Sequence, residues 1–355
     1  MRGRSQLIAA LAAVALAAGA AEQRWLAATE RGLATDGRVQ ALVLPNPNSG
    51  PVTVCVAPDG WVWFTEGQGN RIGRMNADGT GLAEFPLPQA ASSPRIIAVG
   101  GDGNIWFSEH TGNRMARITP AGVITEFDIP TPASQPRAIA LGADGNIWFG
   151  EFASGKIGRI TPQGVITEFT PPTANGGPRA LAAGPDGNIW VSLFRASRIA
   201  RITPKGEITE FPLPRPNSGP GDITAGADGA MWFVELSGNM DGMQPDGGRV
   251  ARITMDGKVT EFEMPGKTPS PINIAVGPDR NIWYTRGSMV GRVMPDGRIT
   301  EFELGEGARG SGLSAGSDRQ PPTRLVNRLY VADGGGNRIV WLQFEAPATG
   351  VKSAP

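Results

Sequence analysis

The stretch "DGNIWFSEHTGNRMARITPAGVITEF" (102–127) returns as "DGNIWFGEFASGKIGRITPQGVITEF" (144–169) and again as "DGNIWVSLFRASRIARITPKGEITEF" (186–211). Such a repeat is one supersecondary unit that buries its apolar face only by stacking on a neighbour. Trp63, Trp106, Trp148, Trp190, Trp232 and Trp283 mark one position of it, the first five spaced 42 or 43 residues apart. The spacing stretches where "NMDGMQPDGGR" (239–249) inserts a loop, and "LYVADGGGNRI" (329–339) is a seventh, degenerate copy with Tyr330 in place of the Trp.

Each copy reads as four short strands. "PRIIAVG" (94–100) is the first, and Asp102-Gly103 turns tightly into "NIWFSE" (104–109). "RMARIT" (114–119) follows, and a Pro-x-Gly turn leads into "VITEFDIP" (123–130), closed by Pro. Four strands per 42-residue unit predict an all-β, seven-bladed β-propeller; an open solenoid would need capping repeats at its ends. The seventh copy has no "ITEF" strand after "NRIVWLQFE" (337–345), whereas "GRVQALVLP" (37–45) precedes the first full copy. The N-terminal strand is therefore expected to complete the last blade and seal the ring, removing exposed sheet edges. Small residues recur in the first strands at one register: Cys55, Ala98, Ala140, Ala182, Thr224, Ala275 and Ser314. Crowding around the axis predicts them, and gives Cys55 a packing role.

Composition agrees with one large all-β domain. The 355 residues include 50 Gly and 31 Pro, but nine Trp and thirteen Phe supply a core. Lys+Arg and Asp+Glu balance at 33 each, which argues against nucleic acid as a partner. A single cysteine excludes an intramolecular disulfide and a cysteine-based zinc site. Arg2 and Arg4 precede an apolar run, Leu7 to Ala21, that is short for a bilayer span, with small residues for cleavage near Ala20-Ala21. The expected organisation is a signal peptide (1–21), a leader (22–36), the propeller (37–345) and a flexible tail (346–355). Periplasmic or secreted localisation follows, with no membrane span once the signal is cleaved; an uncleaved anchor is the alternative.

The unit, in "PDGWVWFTEGQGNRIGRM" (58–75) and "EFPLP" (84–88 and 210–214), resembles that of the virginiamycin B lyase (streptogramin lyase) family over about residues 37–345. The resemblance implies a carbon–oxygen lyase that opens streptogramin B antibiotics at their ester by elimination, assisted by Mg²⁺. It also places two catalytic histidines at the starts of the sixth and seventh blades and a tyrosine at the start of the first. Those positions are Ile272, Ser311 and Val52 in this chain.

The only histidine is His110. Its counterparts in the other copies are Gly67, Phe152, Phe194, Leu236, Gly287 and Gly334, a variable loop position. It is the candidate catalytic group, set against the reading of a solvated loop side chain. Arg95, Arg137 and Arg179 follow the Pro that opens the second, third and fourth blades, and suggest a cationic arc for an anionic ligand. Glu66, Glu109, Glu151, Glu235 and Asp333 end second strands and are candidate ligands for a divalent cation. The alternative is a structural lattice pairing Arg95 with Glu109 and Arg137 with Glu151. Arg286, in a usually acidic position, joins the ligand-binding candidates. "DGMQPDGG" (241–248) lacks the alternating acidic ligands of a calcium loop. The reading is a monomeric, virginiamycin B lyase-like binding or interaction module, taking a small molecule or protein at the channel mouth. A Mg²⁺-dependent lyase using other residues is the alternative.

Overall fold

The computed structural model describes residues 39–236, 248–265, 269–294, 296–304, 307–320 and 324–344. The expected signal, leader and tail segments, and most of 241–248, lie outside them. Seven four-stranded antiparallel sheets form among the described residues, each ordered first strand to fourth. The first blade comprises Pro51–Val56, Val62–Glu66, Arg71–Met75 and Ala83–Pro86. First strands pack against first strands of both neighbouring blades, and the first blade packs against the seventh. The ring is closed, a β-propeller.

The closing blade takes three strands from the C-terminal part of the chain and one from the N-terminal part. Val39–Val43 pairs antiparallel with Arg338–Phe344, from Val39↔Leu342 to Val43↔Arg338. Val39 packs into the cluster beneath the sixth and seventh blades, while Leu44 packs between the seventh and the first. One strand therefore serves two inter-blade cores.

Each blade is assembled around its tryptophan. The six repeat Trp side chains and Tyr330 are at most 2% exposed. On the first-strand side, the cross-strand partner of each is the small residue noted above, as in Ala98↔Trp106, Ala140↔Trp148 and Ser314↔Tyr330. A larger side chain in that register would meet the indole. In five blades the indole Nε1 donates to the Asp of the tight turn, as from Trp106 to Asp102 at 3.1 Å. Gly100 precedes that turn because a Cβ there would lie 2.5 Å from both Asp102 Oδ1 and Trp106 Cδ1. The fourth-strand Phe stacks on the Trp, as Phe127 does on Trp106 at 5.6 Å. The Cys55 thiol is buried against Trp63, and burial pushes it up to about 12, which leaves it unreactive.

Candidate functional site

A cavity of about 690 Å³ lies along the axis, lined by residues of the first-strand segments of all seven blades. A register shift opens six first strands, after the Pro in five of them, as between Pro94 and Ile97, and between Gly310 and Gly312 in the seventh blade. Such a bulge re-aims the residues it displaces, and Arg95, Arg137 and Arg179 all line the cavity as a result. The structure brings these three predicted arginines together.

Their guanidinium groups form no hydrogen bond or ion pair among the described residues. Arg137 lies over the Phe152 ring at 5.5 Å and Arg179 over the Phe194 ring at 5.4 Å. The two rings are themselves 6.3 Å apart. Arg179 is 7% exposed, and its Nη1 is buried without a hydrogen-bond partner. Burial, then the charges of Arg179 and Arg95, hold Arg137 well below the usual guanidinium range. Burial alone lowers Arg95; burial lowers Arg179 to about 10, against the pull of Asp222. A guanidinium stays ionised at neutral pH, so the arc carries concentrated positive charge.

Asp222, on the fifth blade, is the one carboxylate lining the cavity among the described residues. It accepts the backbone N–H groups of Ile223 and Ile274 at 3.0 and 3.1 Å. Burial raises it to about 6, against those hydrogen bonds and Arg179. Sequence reasoning passed over it because it stands two residues after its Pro rather than one. The bulge between Pro220 and Ile223 was the missing information.

The remaining walls come from the first, sixth and seventh blades and include Val52, Ile272 and Ser311. The positions to which the resemblance carries two histidines and a tyrosine thus face this same cavity. Arg309, exposed at the rim, was also not anticipated.

His110 is not part of the cavity lining. Its backbone N–H donates to Ser93 O, as its counterparts Gly67, Phe152 and Phe194 donate to Gly50, Gln135 and Gly177. Its Nδ1–H donates to Pro136 O at 3.3 Å. Burial, then the nearby Arg95 charge, pushes it down to about 4, so it is neutral at physiological pH.

The second-strand acids belong to a different arrangement. Glu66 pairs with Arg71 at 2.9 Å, Glu109 with Arg114 at 2.8 Å and Asp333 with Arg338 at 2.7 Å. Each pair joins directly opposed residues on the second and third strands of one blade. Glu109 therefore pairs with Arg114 rather than Arg95. Glu151 accepts from Ser154 Oγ at 2.7 Å rather than from Arg137. Glu235, opposite Arg249, is 1% exposed and pushed by burial up to about 7. Arg286 faces Met289 where the others face a basic residue, and it pairs with Glu301 of the fourth strand at 2.9 Å. It is the same lattice with the cation moved by one strand.

Mg²⁺ does not fit these residues. The five acids stand in five blades, and no cluster of three or more His, Cys, Asp or Glu suited to a metal exists among the described residues. The carboxylate in the cavity faces arginines, whose charge opposes a cation.

The fold and site define a seven-bladed propeller with a positively charged axial cavity. The profile of the virginiamycin B lyase family matches residues 9–240 and 243–321, and the chain belongs to that family. Among solved structures, a streptogramin B lyase is 31% identical, over 86% of this chain and 96% of its own, with a TM-score of 0.77. Virginiamycin B lyase from Staphylococcus aureus is 34% identical, over 86% of this chain and 99% of its own, also at 0.77. A catalytically inactive histidine-to-alanine form of that enzyme, solved with quinupristin, matches equally well. No curated protein sequence matches the chain.

Proposed function

We propose that this chain is an exported, monomeric binding propeller that holds a small anionic ligand in its axial cavity, without the family's histidine-dependent elimination. The observation that carries this reading is the set of three inward guanidinium groups, Arg95, Arg137 and Arg179, with no protein carboxylate bonded to them. Holding like charges together costs free energy unless an anion offsets them, and arginine forks suit carboxylate and phosphate oxygens. Against elimination stand Ile272 and Ser311 where the resemblance expects histidines, and a lone His110 outside the cavity lining. Export rests on the apolar run behind Arg2 and Arg4.

Calorimetric titration with inorganic phosphate at fixed ionic strength tests the binding. Saturable binding that Arg137→Met weakens is the expected result. The same preparation, incubated with a streptogramin B and Mg²⁺, should yield no linear product by mass spectrometry. Linearisation that EDTA stops would replace this reading with the Mg²⁺-dependent lyase.

A further inference from the structure

The two sides of the cavity differ in kind. On the side of the second, third and fourth blades stand the three arginines. Arg137 and Arg179 lie over Phe152 and Phe194, so those two are positioned without spending N–H donors on the protein. Across the axis, the first, sixth and seventh blades contribute Val52, Ile272 and Leu313, all half-buried and lining the cavity.

Three polar side chains on that far side, those of Asn273, Ser311 and Thr53, are already engaged. Asn273 Nδ2 donates to Ser311 O at 2.6 Å, and Ser311 Oγ lies 2.9 Å from the carbonyls of Pro51 and Ala332. Thr53 Oγ1 donates to Arg95 O at 2.5 Å. The far wall therefore offers a ligand mainly hydrocarbon.

Charge decides the rest. Asp222 is tied to two backbone N–H groups and offsets one of the three guanidinium charges, that of nearby Arg179. Two positive charges remain, with Arg309 at the solvent-washed rim, where ions screen it. A singly charged ligand would leave one guanidinium uncompensated.

Building on the anion-binding reading above, we infer that the ligand is a small amphiphilic dianion, of phosphate-monoester or dicarboxylate type. Its charged head sits between Arg95, Arg137 and Arg179, and its apolar body lies on Val52, Ile272 and Leu313. The cavity, about 690 Å³, falls in the size range of small-molecule sites.

Calorimetry on the full chain near pH 7.5 separates the two halves of this inference. The probes are phenyl phosphate (mostly dianionic there), inorganic phosphate and phenyl sulfate, at constant ionic strength. Phenyl phosphate should bind at least about tenfold more tightly than either of the others. Leu313→Ser should reduce phenyl phosphate to the affinity of inorganic phosphate and leave the latter unchanged. Arg137→Met should weaken both phosphates, and Arg95→Gln provides a second test should that variant fail to fold. Phosphate binding without preference for the phenyl ester overturns the apolar half, and equal binding of phenyl sulfate overturns the dianion. If none of the three anions binds, the anion-binding reading itself fails.

Discussion

Arg117 Nη1 donates to the backbone carbonyl of Pro162 at 2.6 Å, joining the second blade to the third. The same guanidinium lies 5.6 Å from the rings of both Trp106 and Phe127 in its own blade. Arg74, Arg159 and Arg201 repeat the link, to Pro120, Pro204 and Met255. Each of these four arginines thus covers its own aromatic pair and pins the turn of the next blade.

Arg117→Ala should lower stability by about 1–2 kcal/mol, through loss of partly exposed cation–π contacts, the charged hydrogen bond to Pro162 O and a 3.5 Å ion pair with Asp102. Arg117→Lys should recover less than half of that, since an ammonium has no flat face for the rings. Urea unfolding of the three proteins measures it, and full recovery by lysine would reduce the role to charge alone.

Trp148→Ala should cost about 3–5 kcal/mol, as buried aromatic truncations do. Although the seventh copy is degenerate in sequence, Tyr330 is 1% exposed and its hydroxyl donates to Ala77 O of the first blade at 3.1 Å. Tyr330→Ala should fall in the same range. A near-zero effect at either site in thermal melts would remove that ring from the inter-blade core.

Deleting residues through 45 removes the strand paired with Arg338–Phe344 and the Leu44 side chain. The shortened protein should aggregate or melt far lower, by exposing an unpaired edge. Deleting residues 346–355 should change little. Light scattering and calorimetry would report both, and a monodisperse protein lacking the first strand would contradict this closure.

Glu235 is held up to about 7 by burial, and next by the Glu261 carboxylate, against an ordinary value of 4.5. Between those values the folded chain binds more protons than the unfolded one, so this group's stability contribution is full below about 4.5 and lost as pH rises through 7. Glu235→Gln should therefore stabilise the protein at pH 8 by roughly 1–3 kcal/mol and have little effect at pH 4. An equal shift at both pH values would mean that the carboxyl is ionised throughout.

The fold was legible because its signals are local and repeated. The Trp spacing fixes the blade, Asp-Gly fixes the turn, and the missing outer strand of the last copy pointed to residues 37–45. The site was legible only in part. Arg95, Arg137 and Arg179 shared a register after Pro, but Asp222 did not, since a bulge set its direction. The charge lattice was hidden for another reason. Glu109 and Arg114 are five residues apart in the chain yet directly opposed across a hairpin, which pairs them ahead of the Arg95 that sequence position suggested. With that pairing known, Met289 at the usual basic position explains why Arg286 stands where an acid is usual.

Trp341 Nε1 donates to Gln40 Oε1 at 2.8 Å across 301 residues of chain. Of the described strands, the first to leave the ribosome is thus among the last to find its partner. At synthesis rates of about 5–20 residues per second, it waits on the order of 15–60 s. Throughout that interval the nascent protein is an open arc with a growing flank at one end and an idle ribbon at the other. Any arrest late in translation leaves both ends available to a second unfinished copy, so the latch that makes the finished molecule durable also defines when it is most vulnerable.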